Sequence, residues 1–456
     1  MKILSLNSGS SSVKYSLYDW GKKVLIANGI VERVGLGGSF VEQNVFGKGK
    51  TRKEKDCSDH KEAIQLVLET LTEKTNGVIS DLKTVTAVGH RVVHGGERFV
   101  KSVVINDEVV GAFKKLSALA PLHNPPNICG IEAARHLMPD IPHMAIMDTA
   151  WHQTMPASSF LYALPYEWYK KYSIRRYGFH GTSFLYVAKR TSVLLNKNPF
   201  KSNIIIAHIG NGSSINVVKN GLSYDTSMGF TPLEGLVMGT RAGDHDPAID
   251  LFMMRKENIS PENMDKILNK KSGIFGITGQ YTDRRDVEKA AEAGDERAKL
   301  AIDIEAYRLR KYIGAYAAAA GGVDAVVFTA GVGERGSIVR EKSLENLEYM
   351  GIKLDREKNR IAKTRNAECE ISTADSRVKI FIVPTDEERV FVEDVAGLLS
   401  GTYDVHTRFE YTFQKPSYRN MLREKTFEKE VKENPDLLKV AVNHASASGG
   451  DRALRK

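Results

Sequence analysis

Three turns rich in glycine and serine follow short apolar segments of the chain. They are residues 7–12, residues 208–214 and residues 331–334. The alternating apolar residues around the first two turns are typical of β-strands. Because these turns carry few bulky side chains, several backbone amides can converge on one phosphate group, and serine hydroxyls add further donors. The repetition predicts a nucleotide held between two related halves of the protein.

Two familiar phosphate-binding fingerprints explain these turns less well. Gly49-Lys50-Thr51 resembles the end of a P-loop, but Asn44 stands where that motif requires a glycine. Residues 331–336 read G-x-G-x-x-G, and Asp355 follows about twenty residues later, as in dinucleotide-binding folds. A tight strand-to-helix turn can carry three glycines for other reasons, and this fingerprint leaves the two hairpin turns unexplained. A nicotinamide dehydrogenase therefore remains an outside alternative.

Arginine and histidine concentrate in three segments punctuated by glycine or proline, namely residues 89–96, 121–126 and 239–244. A single arginine is most often a solvated or ion-paired surface side chain. Together, the three segments have the composition of loops around a site that binds an anion. Regular elements must position these loops and the glycine-rich turns.

Helical and strand patterns alternate along the chain, which predicts a mixed α/β fold. The predicted helices are Asp59–Thr72, Pro126–Leu137, Phe184–Leu194, Arg297–Gly314 and Ser337–Tyr349. The predicted strands are Lys2–Leu6, Val13–Tyr18, His143–Met147, Asn203–Ile206, Ile215–Val218 and Ala325–Ala330.

The length of 456 residues is enough for two or three domains at roughly 150 residues each. We expect an N-terminal lobe of residues 1–150 with 385–400, and a C-terminal lobe of residues 151–384. After residue 400 the apolar periodicity fades, and lysine, arginine and small residues become frequent. Residues 401–456 are therefore expected to form a peripheral or disordered extension.

Composition and charge restrict the classes of partner. The net charge of +9 favours anions, but the densest basic run, Lys48–Lys55, is interrupted by Glu54, which is typical of a solvated loop and not of a nucleic-acid groove. The three cysteines are far apart and odd in number, which favours reduced thiols and argues against a zinc site. Glycines and Asp324 interrupt the longest apolar stretch, residues 316–328. We expect a soluble cytoplasmic protein that binds neither nucleic acid nor a membrane.

Four longer motifs resemble the acetate kinase family. They are residues 6–14 (Leu-Asn-Ser-Gly-Ser-Ser-Ser-Val-Lys), residues 177–183 (Tyr-Gly-Phe-His-Gly-Thr-Ser), Gly239-Thr240-Arg241, and residues 328–334 (Phe-Thr-Ala-Gly-Val-Gly-Glu). The resemblance spans about residues 1–400. It implies an α/β acetokinase fold with two actin-like, ribonuclease H-like lobes and a duplicated core.

The resemblance also implies a reaction. It is reversible phosphoryl transfer from ATP to acetate, giving acetyl phosphate and ADP, with Mg²⁺ as cofactor, Mn²⁺ as an alternative ion, and two lobes that close around the cleft. A homodimer is implied as well. The alternatives are a propionate or butyrate kinase of the same fold and a non-catalytic, nucleotide-binding actin-like protein.

Five residues match the catalytic residues of the family. Arg91 matches the substrate-binding arginine, whose planar fork suits a carboxylate. Arg241 and His180 match the groups that stabilise the transition state, and His123 matches a further active-site histidine. Asp148 matches the catalytic carboxylate. Acetate is already ionised at neutral pH, so a strong base is unnecessary, and we favour a role for Asp148 in organising Mg²⁺ and Arg91.

The resemblance assigns the remaining site residues by motif. Asn7 and Glu387 match the magnesium-binding residues, although Glu388 follows directly and the alignment could shift by one. The residues that match the ATP site are Lys14, His208, Gly210, Asn211, Gly212, Asp283, Arg285, Gly331, Gly333 and Arg335. The residues that match the pocket for the acetate methyl group are Val93, Leu122, Phe179 and Pro232. One additional methylene changes binding by about 1–3 kcal/mol in such pockets, so propionate should be a poorer substrate.

Five positions depart from the usual pattern of the family, one of which is His245 within residues 243–247. Met147 and Trp151 replace phenylalanines on either side of Asp148, Phe184 replaces a histidine, and Arg335 replaces an asparagine. These changes bear on rate and nucleotide preference and leave the reaction class as implied.

Overall fold

The computed structural model describes residues 1–120 and 123–442. The strands, in chain order, are β1 (Lys2–Ser8), β2 (Ser12–Asp19), β3 (Val24–Glu32), β4 (Phe40–Val45), β5 (Gly49–Glu54), β6 (Val85–Val92), β7 (Val103–Val104), β8 (His143–Met147), β9 (Ile204–Ile209), β10 (Ser213–Lys219), β11 (Leu222–Thr226), β12 (Ala325–Thr329), β13 (Glu368–Glu370), β14 (Lys379–Ile382) and β15 (Ala441–Val442). The α-helices are α1 (His60–Thr72), α2 (Asp107–Leu116), α3 (Asn124–Leu137), α4 (Ala157–Phe160), α5 (Tyr166–Tyr172), α6 (Gly181–Leu194), α7 (Pro247–Lys256), α8 (Pro261–Lys270), α9 (Gly273–Thr278), α10 (Arg284–Glu292), α11 (Glu296–Ala320), α12 (Ala330–Arg335), α13 (Ser337–Leu344), α14 (Arg356–Ile361), α15 (Glu387–Leu399) and α16 (Met421–Glu433).

The chain divides into two compact units. Unit 1 contains Met1–Thr154, Ile174–Leu185 and Asp386–Thr412. Unit 2 contains Met155–Ser173, Tyr186–Thr385 and the described residues from Phe413.

Unit 1 is built on a sheet with the strand order β5-β4-β3-β2-β1-β6-β8-β7. Strands β1, β2 and β3 form an antiparallel meander, and β1, β6 and β8 run parallel to one another. The parallel strands end at the same edge of the sheet, where loops commonly carry functional side chains.

Unit 2 repeats this arrangement. Its sheet has the order β11-β10-β9-β12-β14-β13-β15, in which β9, β10 and β11 form the antiparallel meander and β9, β12 and β14 run parallel. A meander followed by two parallel crossover strands therefore occurs once in each unit. This topology confirms the predicted duplicated α/β core.

Helices cover both faces of the unit 1 sheet. Leu4 and Leu6 of β1 pack in a core with α1 and α3, whereas Ile3 packs in a second core with Val392 and Val395 of α15. Successive residues of a strand point to opposite faces, so a single strand supplies both cores. The end of β1 is thereby fixed from both sides.

The 25-residue helix α11 anchors the core of unit 2. The side chain of Asp295 accepts hydrogen bonds from the first turn, and the helix ends at Gly321, which has a φ of +77°. Leu309 and Ile313 pack with Phe328 of β12 in the largest core. The predicted helix ended earlier, at Gly314, because residues 316–320 are apolar and alanine-rich and lack the polar face that marks a surface helix.

The segment after Ser400 differs from the predicted peripheral extension over its described part. Tyr411 in unit 1 and Phe413 in unit 2 are fully buried. In unit 2, Phe427 of α16 joins the main core, and β15 pairs with β13 at the sheet edge. The composition misled the prediction because α16 buries a single residue among many charged ones. Residues 443–456 lie outside the described residues.

A buried carboxylate connects the end of this segment in unit 1 to α15. Asp394 accepts hydrogen bonds from Ser102 Oγ at 2.6 Å and from the Tyr411 hydroxyl at 2.7 Å. Burial raises the pKa of Asp394 to about 7. The two donors supply the hydrogen bonds that a buried carboxylate requires.

The basic run Lys48–Lys55 also differs from the predicted loop. Most of it forms β5, an exposed strand at the edge of the sheet. Charged side chains on an edge strand discourage pairing with other chains, which explains a basic run without a nucleic-acid groove.

Over residues 1–120 and 123–442, none of the helices combines the length and apolar character needed to cross a membrane.

The burial of Phe427 predicts that the C-terminal segment contributes to stability. Phe427 is 3% exposed, so Phe427→Ala should cost about 3–5 kcal/mol and lower the melting temperature by roughly 10 °C. Thermal unfolding followed by circular dichroism measures the change. The control is Met421→Ala in the same helix, since Met421 is 60% exposed. Equal melting temperatures for the two variants would contradict a structural role for this segment.

Candidate active site

The first glycine-rich turn places Asn7 beside Lys14. The two residues are paired across the antiparallel strands β1 and β2, and the Gly9 amide donates to the Ser12 carbonyl at 2.8 Å to close the turn. Lys14 is exposed and Asn7 is half-buried. An ammonium group and an amide oxygen are therefore presented at the end of the first hairpin.

Arg91 and Asp148 form a two-pronged ion pair at the ends of neighbouring parallel strands. Arg91 Nε donates to Asp148 Oδ1 at 2.9 Å, and Arg91 Nη2 donates to Asp148 Oδ2 at 2.7 Å. The Asp148 side chain is 3% exposed and that of Arg91 is 31% exposed. The charge of Asp148 is the main reason that the pKa of Arg91 is raised. Nη1 of Arg91 takes no part in this pair and is available to a ligand.

Glu387 belongs to the same cluster of charges. It lies in the first turn of α15, which Asp386 caps by accepting a hydrogen bond from the Arg389 amide at 3.1 Å. Burial is the largest cause that raises the pKa of Glu387; the charges of Asp148 and Asp386 add to the rise, and those of Arg91 and Lys14 oppose it. Glu388 is exposed, and Glu387 is half-buried. This geometry favours Glu387 over its neighbour as the functional acid.

His180 occupies a backbone conformation that is uncommon for residues other than glycine. Its φ is +58°, and the following Gly181 donates its amide to the Asp148 carbonyl at 2.9 Å. A Cβ atom on Gly181 would lie 2.1 Å from that carbonyl oxygen, so only glycine fits there. The left-handed conformation and the close approach together fix His180 next to the Asp148 strand end.

Two residues of the predicted methyl pocket lie on neighbouring segments of unit 1. The amide of Val93 donates to Asn127 Oδ1 at 3.0 Å. The ring of the next residue, His94, contacts the buried ring of Phe179, with 5.9 Å between ring centroids. Burial lowers the pKa of His94 to about 3, so this histidine is neutral. Leu122 lies outside the described residues, and Pro232 belongs to unit 2.

His123 directly precedes α3, the helix that supplies Asn127. Its backbone carbonyl accepts a hydrogen bond from the Asn127 amide at 3.2 Å, and its side chain is half-buried. The side-chain amide of Asn127 in turn donates to the Ser8 carbonyl at 2.6 Å. The start of α3 is therefore tied to the first glycine-rich turn.

Two of the residues that depart from the family pattern pack around this part of unit 1. Phe184 is fully buried, and its ring lies 5.6 Å from the ring of His152 and 6.5 Å from that of His180. Trp151 is buried against His406 with 5.6 Å between ring centroids. Phe184 and Trp151 therefore provide apolar packing at positions that are near His180 and Asp148 in the sequence.

The second glycine-rich turn closes the β9–β10 hairpin in unit 2. His208 pairs with Ser214, and the Gly210 amide donates to the Gly212 carbonyl at 3.2 Å. The Gly239 amide donates to the Asn211 carbonyl at 3.2 Å, which ties the hairpin to the segment that contains Arg241.

A cavity of about 610 Å³ in unit 2 collects most of the predicted ATP residues. The predicted residues that line it are Gly210, Asn211, Asp283, Arg285, Gly331 and Arg335. The lining does not include Gly212, His208 or Gly333, and the last two are buried. Glycine amides and arginines around a cavity of this size are well suited to a nucleotide.

The residue directly before the third glycine-rich turn also has a strained backbone. Ala330 has a φ of +64°, a conformation that costs a residue with a Cβ atom about 1 kcal/mol or more. It follows directly from β12 and opens α12, whose Gly331 and Arg335 line the cavity. The strain lies at the turn from strand to helix, beside the cavity.

Arg241 is held in unit 2 without a carboxylate partner among the described residues. Its Nη1 atom donates to the Pro232 carbonyl at 3.1 Å, and burial lowers its pKa. The loop that contains Pro232 and Arg241 is closed at its base, where Asp244 exchanges hydrogen bonds of 2.8 and 2.9 Å with the backbone of Gly235. Tyr312 donates to Asp244 at 2.7 Å and braces this closure.

Three charged residues that line the cavity were not predicted from the sequence. Arg284 and Glu288 lie on α10, and Arg365 donates through Nε to the buried carboxylate of Glu334 at 2.8 Å. Arg284 lies between Asp283 and Arg285 in the sequence. The predicted role of these two neighbours in ATP binding could have pointed to Arg284 as well. Glu288 and Arg365 carried no local signal because they lie in no motif. Arg285 lowers the pKa of Asp283 to about 2 by hydrogen bonding.

No set of three or more histidine, cysteine, aspartate or glutamate side chains in the described part of the chain is arranged to hold a metal ion. This finding is compatible with a Mg²⁺ site, because proteins often bind Mg²⁺ through one or two carboxylates together with substrate phosphates and water. Asn7 and Glu387 offer oxygen donors of the type that Mg²⁺ prefers. The neighbouring carboxylate of Asp148 adds negative charge.

Comparison with known proteins agrees with the geometry of the two units. A sequence model of the acetokinase family matches residues 2–393. An acetate kinase of Trichlorobacter lovleyi is 60% identical over 418 residues, covering 92% of this chain and 99% of the relative. The crystal structure of Porphyromonas gingivalis acetate kinase has a TM-score of 0.83 at 45% identity, covering 87% of this chain and 99% of that one. A propionate kinase from Francisella tularensis has a TM-score of 0.79 at 39% identity, covering 86% and 98%.

The matched residues span both units, and the similar solved structures confirm the predicted two-lobed, actin-like acetokinase fold. The chain belongs to the acetokinase family.

Proposed function

We propose that the chain catalyses reversible transfer of the terminal phosphoryl group of ATP to acetate, giving acetyl phosphate and ADP. The observation that carries the proposal is the Arg91–Asp148 pair, which leaves one arginine nitrogen available beside Glu387, in a chain of the acetokinase family. Acetate is favoured over longer acids because the acetate kinase relative is 60% identical, whereas the propionate kinase is 39% identical.

Acetate binding is assigned to Arg91 and to four apolar residues. The free edge of the Arg91 guanidinium pairs with the carboxylate, and Asp148 holds the guanidinium in place. The family resemblance assigns the methyl group to Val93, Leu122, Phe179 and Pro232. Because acetate is ionised at neutral pH, no residue needs to remove a proton from it, and Asp148 acts by orienting Arg91.

Transition-state stabilisation is assigned to Arg241 and His180, and His123 is assigned to the same site as a further active-site histidine. During transfer the negative charge spreads over the equatorial oxygens of the phosphoryl group, so fixed positive charges and hydrogen-bond donors lower the barrier. Arg241 has no carboxylate partner within the described chain, and its charge can therefore serve the phosphoryl group. The left-handed backbone of His180 sets the direction of its Cα–Cβ bond before the substrate binds.

ATP binding is assigned to the cavity of unit 2 and to Lys14. The predicted residues are His208, Gly210, Asn211, Gly212, Asp283, Arg285, Gly331, Gly333 and Arg335. Turn amides contact the phosphates, and Lys14 neutralises phosphate charge.

The donor set fits Mg²⁺, with Mn²⁺ as an alternative ion. Asn7 and Glu387 would hold it, and the bound ion would neutralise phosphate charge. A half-buried carboxylate such as Glu387, with its pKa raised by burial, is stabilised as an anion by a nearby cation.

We also propose a cytoplasmic location and a homodimer. Cys57, Cys129 and Cys369 are free thiols, which suits a reducing compartment. The homodimer rests on the family resemblance, and light scattering of the purified protein tests it.

A coupled assay tests the reaction. The protein is given ATP, Mg²⁺ and acetate, and hydroxylamine traps the acyl phosphate as a hydroxamate. We expect hydroxamate with acetate, less with propionate, and least with butyrate, because each methylene costs about 1–3 kcal/mol in a pocket built for a methyl group. Absence of hydroxamate with all three acids would support the non-catalytic alternative, and a preference for propionate or butyrate would identify a kinase for longer acids.

Arg241→Ala should lower kcat by roughly 10³-fold and leave the fold intact, because a charge used only in the transition state is lost. Steady-state kinetics measures the change, and circular dichroism checks the fold. Arg255→Ala, which removes an exposed arginine of the same unit, serves as the control. A higher KM for acetate with an unchanged kcat would refute the transition-state role.

Glu387→Gln should raise the Mg²⁺ concentration for half-maximal activity about tenfold or more, since a carboxylate ligand becomes a neutral amide. Binding of Mn²⁺ followed by electron paramagnetic resonance gives a readout independent of turnover. The adjacent Glu388→Gln is the matched control and should change neither value. An equal effect of both substitutions would argue against a specific metal ligand at Glu387.

A further inference from the structure

The nucleotide cavity of unit 2 contains a carboxylate that has no role in the reaction proposed above. Glu288 lines the cavity and lies on α10, four residues after Arg284. Residues at this spacing lie on the same face of a helix, so α10 presents both side chains to the cavity. Glu288 is half-buried.

The other charged residues at the start of α10 that line the cavity already form ion pairs. Arg284 donates through Nε and Nη2 to the buried carboxylate of Glu305, with 3.1 Å between Nε and Oε1. Asp283, the second acidic residue of the lining, pairs with Arg285 at 2.5 Å. Both ion pairs form without a ligand, although Arg284 Nη1 and Glu305 Oε2 remain buried without a hydrogen bond.

Glu288 differs, because its carboxylate has neither a hydrogen bond nor an ion pair with any described residue. Burial is the main cause that raises its pKa; the charges of Glu292 and Glu305 add to the rise, and those of Lys363 and Arg284 oppose it. A half-buried acceptor has lost part of its hydration, and a ligand that supplies an N–H group would replace what is lost.

The chemistry of the cavity indicates which part of a nucleotide supplies that donor. Phosphate oxygens are anionic and are repelled by a carboxylate, whereas the turn amides around Gly210 and Asn211, which line the same cavity, attract them. An exocyclic amino group of a nucleobase is a neutral donor and suits Glu288.

We propose that Glu288 determines the choice of nucleobase by accepting a hydrogen bond from the 6-amino group of adenine. This inference rests on the proposed ATP site. Hypoxanthine carries a carbonyl oxygen at the same position, which would leave two acceptors facing each other. ITP, which differs from ATP at this edge of the base and keeps the same ribose and triphosphate, is therefore the discriminating probe.

The experiment compares ATP with ITP in the unmodified protein, in Glu288→Gln and in Glu292→Gln. Glu292 lies one turn further along α10 and is exposed, so its substitution makes the same charge change outside the cavity. The measurements are kcat/KM in the hydroxamate assay and the dissociation constant of each nucleotide without acetate.

We expect the unmodified protein and Glu292→Gln to favour ATP over ITP by at least tenfold. In Glu288→Gln the ratio should fall about tenfold, because the glutamine amide can turn to donate to the hypoxanthine oxygen. Glu288→Ala should reduce the ratio as well, since it removes both the attraction for ATP and the repulsion of ITP.

An unchanged ratio in both Glu288 variants, or an equal decrease in Glu292→Gln, would overturn the inference. Failure of the proposed function has a different signature, namely no hydroxamate with either nucleotide. In that case the ratio of the dissociation constants of ATP and ITP still decides whether Glu288 distinguishes the two bases.

Discussion

The buried carboxylate of Asp148 requires a cation, and much of the organisation of unit 1 follows from that requirement. An ionised carboxylate with 3% exposure is costly unless it is paired and hydrogen-bonded. Arg91 meets the requirement with two hydrogen bonds because β6 and β8 are neighbouring parallel strands that end together. The pairing fixes the guanidinium plane, so the arginine is oriented before a ligand arrives.

The two key arginines have contrasting environments. Asp148 balances the charge of Arg91, which suits the proposed role of this arginine in orienting a substrate carboxylate. Arg241 has only neutral partners within the described residues, including the Pro232 carbonyl, and burial lowers its pKa. Arginine remains charged even so. An arginine with neutral partners is suited to a group whose negative charge is concentrated, such as a transferring phosphoryl group.

Local patterns predicted the elements well, because strand and turn signals depend on neighbouring residues. The strand His143–Met147 was predicted with its observed bounds, and the glycine-rich turns occur where expected. Ala330 directly precedes the third turn and His180 lies in the motif of residues 177–183; no composition rule could reveal the positive φ angles of these two residues. Helix α11 was predicted too short because its last turns are apolar.

The site was predictable only where residues lie in long motifs. Arg91, Asp148 and Glu387 come from distant parts of the chain, and their electrostatic coupling depends on the sheet topology. Glu288 and Arg365 enter the cavity through the packing of α10 and of the segment before β13, which spacing in the sequence does not encode. The C-terminal segment was misjudged for the same reason, since a single buried phenylalanine does not alter its average composition.

The hydrogen bond from Tyr411 to Asp394 shows that the residues after Ser400 also affect the ionisation of a buried carboxylate. Asp394 lies two turns along the helix whose first residue is Glu387. A chain shortened at Ser400 would lose the tyrosine hydroxyl and expose the buried face of this helix to water. The carboxylate of Asp394 would then ionise more readily. The residues after Ser400 therefore act as an internal solvent shield for the acidic helix, although their composition resembles that of a surface tail.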